Sequence, residues 1–279
     1  MGQPMARHLL NAGHRLRVFA RKPASAAGLV SRGAVALPSP ADAAAGADFT
    51  CINVTSTADV QAVLFGERGV EQGAKTGSVI LDFSTISPTA ARVFATRLAR
   101  NNIHYLDCPV SGGVQGATAA TLTMMVGGKL EALETARPIL QRLAKNIVHI
   151  GDSGAGQVAK ACNQIVQVVS IQAIAEAMHF AQAQGVNLER TLSALQSGFA
   201  GSKMLDLMGP KMISRDFTAG IELRLHEKDF GLVVDQLETL GLDLPAVLLV
   251  AGQLHDMVQR GWGQEDTSAL LKLLEAQAE

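Results

Sequence analysis

The chain has 279 residues, 48% of them apolar, which suits one large domain or two ordinary ones around a buried core. Its formal net charge of −1 comes from interspersed acids and bases, excluding a basic nucleic-acid stripe and an acidic disordered tail. At 4%, aromatics are too few for a base-stacking surface.

In chain order, Pro4 to His14 has helical spacing, with Pro4 at its start and Gly13 at its end. Short β-rich runs follow at Arg15–Ala20, Asp48–Val54, Ser78–Ser84, Ile103–Val110, Leu122–Val126 and Asn146–Ile150. Helical patterns at Thr57–Phe65, Pro88–Asn101 and Leu130–Ala144 separate most of them. Such alternation predicts βαβ units and a mainly parallel sheet with right-handed crossovers. After Gly151-Asp152-Ser153-Gly154 the strand signal stops. The proline-free stretch from Ala155 to about Gln184, ended by Gly185, predicts one helix of roughly 45 Å. Further helices are predicted at Leu188–Ser197, Phe230–Leu240, Pro245–Gln259 and Thr267–Ala278. The expected architecture is an α/β nucleotide-type domain over residues 1–151, then an all-α domain over 152–279, with a long interdomain helix.

No secretory leader is expected, because Met1-Gly2-Gln3-Pro4 leads straight into an amphipathic stretch. The run from Ala161 to Ala175 carries Asn163, Gln164, Gln167, Ser170 and Gln172, so it reads as a buried helix rather than a membrane span. Cys51, Cys108 and Cys162 are far apart and form no CxxC. They fit a reducing, cytoplasmic setting and are expected as small buried hydrophobes. The histidines make no metal-spaced pair, so no metal is expected.

Three segments could carry chemistry. Asp107-Cys108-Pro109-Val110-Ser111-Gly112-Gly113 runs a strand into a turn whose amides and hydroxyl could hold a carboxylate, or it is an ordinary tight turn. Lys160, Asn163, Gln164 and Gln167 share one helix face among apolar neighbours. A lysine buried there suits proton transfer near neutral pH, whereas a surface lysine would merely snorkel. Leu225-His226-Glu227-Lys228-Asp229-Phe230 reads by itself as a charged helix start. No G-x-S-x-G elbow supports an acyl-transfer triad. At the chain start, Gly2 before a helix that feeds a strand is modest evidence for the last glycine of a dinucleotide fingerprint. After that strand, Arg21 and Lys22 stand where an NAD-type unit places an acid, which favours the 2′-phosphate of NADP over NAD; alternatively they are a solvated loop.

Taken together, the order and spacing of these segments resemble the β-hydroxyacid dehydrogenase family, which includes 3-hydroxyisobutyrate dehydrogenases and tartronate semialdehyde reductases. The resemblance covers essentially the whole chain. Met1-Gly2-Gln3-Pro4-Met5-Ala6 is similar to the end of the family's cofactor motif, and Asp107 to Gly113 to its substrate motif. Gly154-Ala155-Gly156 through Lys160 to Asn163 is similar to the catalytic motif, and Lys228-Asp229 to the late K-D motif.

The resemblance implies a Rossmann-type first domain and NADP, ahead of NAD, as cofactor. It implies that Lys160 exchanges a proton with the substrate oxygen, that Asn163 orients that oxygen, and that Ser111, Gly112 and Gly113 anchor a carboxylate. Ser202, in Phe199-Ala200-Gly201-Ser202, is expected at the substrate. Met1, Gly2, Arg21, Lys22, Val54, Thr55, Thr85 and Lys228 are expected at the cofactor. The branch most resembled reduces tartronate semialdehyde (2-hydroxy-3-oxopropionate) to D-glycerate; 3-hydroxyisobutyrate dehydrogenases and non-catalytic dinucleotide-binding relatives are the alternatives. A small carboxylate substrate and a homodimer or homotetramer are the implied partners, with no nucleic acid and no membrane. Two features depart from the pattern. Thr55 replaces a usual proline, and the first strand with two fingerprint glycines is missing, so a natural start about ten residues earlier is expected.

Overall fold

A computed structural model describes residues 1–277. The chain divides into two compact units, Met1–Lys160 and Ala161–Glu279. The domain boundary expected after residue 151 falls at the end of a strand, nine residues before this division, which lies inside the long helix.

The first unit opens with α1 (Gly2–Asn11), which buries Pro4, Met5 and Leu9. There follow β1 (Arg17–Val18), α2 (Ala27–Val30), β2 (Val35–Ala36), α3 (Pro40–Ala44) and β3 (Phe49–Ile52). Next come α4 (Thr57–Phe65), α5 (Val70–Gly73), β4 (Val79–Asp82), α6 (Pro88–Ala99) and β5 (His104–Asp107). The unit then adds β6 (Val110–Ser111), α7 (Gly113–Ala119), β7 (Leu122–Gly127), α8 (Leu130–Leu140) and β8 (Ala144–Gly151). Local chemistry sets several helix starts. Ser56 and Asp59 form a reciprocal capping box on α4, and Ser39 and Ser87 cap α3 and α6.

Strands β3, β4 and β5 pair in parallel. β7 runs antiparallel to both β5 and β6 and parallel to β8. The expected single strand Ile103–Val110 is therefore two, because Pro109 between them has no N–H for a ladder. β1 and β2 form a separate parallel pair. The expected run Arg15–Ala20 shrinks to two residues, since β2 alone supplies its ladder. The central strands are buried on both faces, with successive side chains entering different clusters. Val79, Leu81 and Leu106 pack with Leu122, Met124, Leu133 and Leu140 on one face, while Ile80 and Tyr105 pack with Leu64, Phe94 and Leu98 on the other. This two-faced burial is what a parallel α/β sheet requires.

α9 (Ala155–Ala183) starts in the first unit and continues into the second. The second unit adds α10 (Leu188–Ser197), α11 (Lys203–Ser214), α12 (Leu223–Leu240), α13 (Pro245–Gln259) and α14 (Leu270–Gln277). Val168, Ile171, Ala175 and Met178, spaced three and four apart on α9, pack with Leu205, Met208, Phe230, Val233 and Leu254. No strand forms among its described residues; Glu222 and Asp266 make an isolated bridge. α11 has no forerunner among the expected helices, because Gly209 and Pro210 interrupt its pattern. A Cβ at Gly209 would come within 2.5 Å of Leu192, so the glycine permits close helix packing. α12 begins at Leu223, seven residues before the expected Phe230. The expected last helix starts as a 3₁₀ turn, Thr267–Ala269, and its final residue, Ala278, lies outside the described residues.

Only Cys108 is a buried thiol as expected; Cys51 on β3 and Cys162 on α9 are exposed. Among the described residues β3 pairs with β4 alone, so one side of it lacks a neighbouring strand. Among the described residues no helix is long and apolar enough to cross a membrane.

Candidate active site

In the first unit, β4 and β5 end on register-paired acids, Asp82 and Asp107, both fully buried. Asp82 accepts the Tyr105 hydroxyl at 2.7 Å and the Ser84 N–H at 2.9 Å. Asp107 accepts the N–H groups of Gly154 at 2.7 Å and Gln157 at 3.0 Å. Its carboxyl thus serves the start of α9, where backbone donors have no partner of their own. Burial pushes each acid up to about 6, with the hydrogen bonds pulling back.

Between pH 3.8 and about 6 the folded state keeps a proton on Asp82 that the unfolded chain has released. Stability due to this group therefore falls as pH rises through that window. Asp82→Asn removes the effect, so its unfolding midpoint should gain on the wild type between pH 4 and 7, as read by calorimetry. A difference that stays constant across this range would contradict the assignment.

α9 is seated with little freedom. Gly154 has φ of +89°, and a Cβ there would sit 2.7 Å from the Pro88 carbonyl oxygen. A Cβ on Gly156 would come within 2.5 Å of the Met125 carbonyl and 2.6 Å of the Asp107 carbonyl. Gln157 spans the Ser84–Ile86 turn: its Nε2 donates to the Ser84 carbonyl at 2.9 Å, and its Oε1 accepts the Ile86 N–H at 3.0 Å. One turn on, Lys160 is only 8% exposed, and its Nζ donates to the Val110 carbonyl at 3.0 Å. This is not the snorkelling arrangement. It places an ammonium beside the strand residue that precedes Ser111, Gly112 and Gly113. Ser111 is half-buried, and the two glycines turn the chain with φ of 124° and 60°.

The expected cofactor residues of this unit either open α1 or follow the carboxyl ends of β1, β3 and β4 in the chain. Gly2 lies beside Asn53, where an added Cβ would stand 3.7 Å from the Asn53 Cβ. Val54 donates its N–H to Ser84 Oγ at 3.0 Å, next to half-buried Thr85, and Thr55 is exposed. Arg21 reaches Asp59 at 3.3 Å, and Lys22 is exposed beside it. α1 begins after Met1 with no side-chain cap and no acid in its first turn. Its leading amides and the positive end of its dipole suit an anion, which fits a dinucleotide phosphate.

In the second unit, Asn163 and Lys228 belong to one polar network. Asn163 Nδ2 donates to Gln164 Oε1 at 2.9 Å and to Gln167 Oε1 at 3.3 Å. Gln164 Nε2 donates to Asp229 Oδ2 at 2.6 Å, and Lys228 Nζ lies 2.6 Å from Asp229 Oδ1. His226 is buried, with Nδ1 2.7 Å from Thr267 Oγ1. Leu225–Phe230 does lie in the first turns of a helix, as expected, and two of its polar residues, His226 and Asp229, are buried. Ser202 is exposed, and its hydroxyl accepts the Leu205 N–H to cap α11. Asp82, Tyr105 and Gln157 escaped the sequence reading; an acid closing each of two apolar strands was the available signal. Among the described residues no cluster of three or more His, Cys, Asp or Glu could hold a metal.

Comparison with known proteins accounts for both units. Residues 1–151 match the family model described as the NAD binding domain of 6-phosphogluconate dehydrogenase. Residues 154–274 match the NAD-binding model of NADP-dependent 3-hydroxyisobutyrate dehydrogenase. The chain is 38% identical to 2-hydroxy-3-oxopropionate reductase of Escherichia coli, an alignment covering 100% of this chain and 95% of the relative. It is 35% identical to NAD-dependent L-serine dehydrogenase of Pseudomonas aeruginosa, covering 99% and 95%. Among solved structures it is similar to 3-hydroxyisobutyrate dehydrogenase of Mycobacterium tuberculosis with L-serine, with a TM-score of 0.91 and 32% identity, covering 98% and 95%. The chain belongs to the β-hydroxyacid dehydrogenase family, NAD(P)-dependent oxidoreductases that act on CH–OH groups.

Proposed function

We propose that the enzyme is an NADP(H)-dependent reductase of 2-hydroxy-3-oxopropionate that forms D-glycerate, with Lys160 as its acid and base. The observation that carries this reading is the seating of Lys160. A buried ammonium is held on the Val110 carbonyl, immediately before the Ser111-Gly112-Gly113 turn. A carboxylate on that turn would be met by the Ser111 hydroxyl and by backbone N–H groups. Lys160 then protonates the substrate carbonyl oxygen in reduction and takes the hydroxyl proton in oxidation. Asn163, one turn further along α9, contacts the substrate, and Ser202 lies at its edge. The full-length relationship to the E. coli reductase supports this substrate over others.

The nicotinamide cofactor, when bound, supplies or accepts the hydride. Met1, Gly2, Val54, Thr55, Thr85 and Lys228 would hold it, with residues 1–151 as the cofactor domain and 152–279 as the substrate domain. Arg21 and Lys22 would grip a 2′-phosphate, so NADP is preferred over NAD. Structural likeness to 3-hydroxyisobutyrate dehydrogenase favours a second reading, in which the substrate carries a methyl instead of the 2-hydroxyl.

Initial rates with NADPH and NADH decide among these. 2-Hydroxy-3-oxopropionate with NADPH should give the highest kcat/KM. Replacing Arg21 and Lys22 by Glu and Ala should shift the NADPH to NADH ratio by about tenfold or more, the worth of a lost phosphate contact. A higher kcat/KM for 2-methyl-3-oxopropionate would transfer the assignment to the second reading.

A further inference from the structure

Among the groups around Asn163, hydrogen-bond polarity is determined from one end. Asp229, ion-paired with Lys228, presents carboxylate oxygens that only accept. The 2.6 Å bond from Gln164 therefore comes from its Nε2, which turns Gln164 Oε1 toward Asn163. That oxygen accepts, so the Asn163 group facing it is Nδ2. Gln167 Oε1 takes a second bond from the same nitrogen at 3.3 Å. Both hydrogens of the Asn163 amide are thus spent inside the helical unit, and its Oδ1 is the atom left to meet a ligand. Gln164 and Asp229 are buried, whereas Asn163 is half-buried and reachable.

We propose that this relay, Lys228–Asp229–Gln164–Asn163, makes Asn163 a specificity determinant that presents an acceptor to the substrate. The inference rests on the proposed contact between Asn163 and substrate and deepens it. An amide oxygen does not stabilise the reacting carbonyl oxygen, which is itself an acceptor and takes its proton from Lys160. It pairs instead with a donor elsewhere on the substrate. The candidate acids share a carboxylate and a reacting C3 and differ at C2, which bears a hydroxyl, a methyl or, in L-serine, an ammonium. Hydroxyl and ammonium can donate to Asn163 Oδ1, and methyl cannot. A site that leaves a buried polar group unmatched discriminates far more strongly than one that loses a methylene. Gln164 and Asp229 act through Asn163 and are positioning residues.

The test compares 2-hydroxy-3-oxopropionate with 2-methyl-3-oxopropionate in the full enzyme, its Gln164→Met and Asp229→Asn variants, Asn163→Ala, and the Asn163→Ala/Gln164→Met double variant. The wild type should prefer the hydroxylated acid by about 10²-fold or more in kcat/KM. Gln164→Met should lower that preference by about tenfold, through the hydroxylated substrate alone, and should have no further effect once Asn163 is Ala. Asp229→Asn, which lets Gln164 reverse, should lower it in the same sense. Calorimetric binding of D-glycerate and 3-hydroxyisobutyrate in the dead-end complex with NADPH should show the same loss without turnover.

If the wild type prefers the hydroxylated acid but Gln164→Met leaves the preference intact, the relay is wrong and the substrate assignment stands. Equal losses on both substrates would mean a merely structural role and would also defeat it. A wild type that prefers the methyl acid overturns both readings together.

Discussion

Lys160→Ala is expected to lower kcat by about 10²- to 10⁴-fold, the usual worth of a positioned general acid. The side chain is buried, and its ammonium is held at 3.0 Å on the Val110 carbonyl, so no neighbouring residue simply takes its place. KM should change much less, because the carboxylate would be anchored on Ser111, Gly112 and Gly113. Loss of the bond to Val110 leaves a carbonyl wanting a donor, at a stability cost of about 1–2 kcal/mol. Unfolding in urea and NADPH binding, measured on the same variant, separate that cost from the chemistry. Small primary amines added to the assay should restore part of kcat by occupying the vacated volume. A variant that folds, binds NADPH and keeps wild-type turnover would remove Lys160 from the reaction.

The second large effect is expected at Asp107. Asp107→Ala leaves the N–H groups of Gly154 and Gln157 without an acceptor in a site sealed from water. Two unsatisfied donors at a helix start should cost about 3–4 kcal/mol. The loss should reach catalysis as well, since these amides seat the first turn of α9 and Lys160 follows one turn later. Asp107→Asn should cost less. It retains one acceptor and avoids burying a charge that the fold disfavours, as the value of about 6 shows. The sign follows from that value. The folded state binds a proton on Asp107 between pH 3.8 and about 6 that the unfolded state has released, so this group's contribution weakens as pH rises through the window. The Asn variant should therefore compare better with wild type at pH 7 than at pH 4. Equilibrium unfolding at both pH values, with kcat on the folded protein, checks the argument. A folded Asp107→Ala with unchanged stability and kcat would refute it.

How much could be read in advance varied with how local the cause was. Thr57–Phe65, Leu188–Ser197 and Pro245–Gln259 match the observed helices residue for residue. Each begins with nearby chemistry: the Ser56–Asp59 box, the Asn187 cap or Pro245 in the first turn. α11 was hidden because Gly209 and Pro210 argue locally against a helix. Its packing against Leu192 and the burial of Leu205, Met208 and Met212 overrule them. β1 was overestimated for the opposite reason, since a strand is only as long as the ladder it finds.

The same distinction divides the candidate site. Lys160, Asn163, Gln164 and Gln167 fall on one helix face by spacing alone, and Ser111-Gly112-Gly113 is a turn by composition alone. Periodicity and turn chemistry are written along the chain, so the sequence determined these groupings and the α/β-then-α order. Whether Lys160 is buried or snorkels was not decidable there, because it depends on Val110, fifty residues away. The same holds for Asp107, whose partners at the start of α9 are joined to it only by the fold. The polarity of Asn163 depends on Asp229, sixty-five residues beyond Gln164. Burial and hydrogen-bond direction arise from atoms distant in sequence and near in space, and only the tertiary structure brings those atoms together.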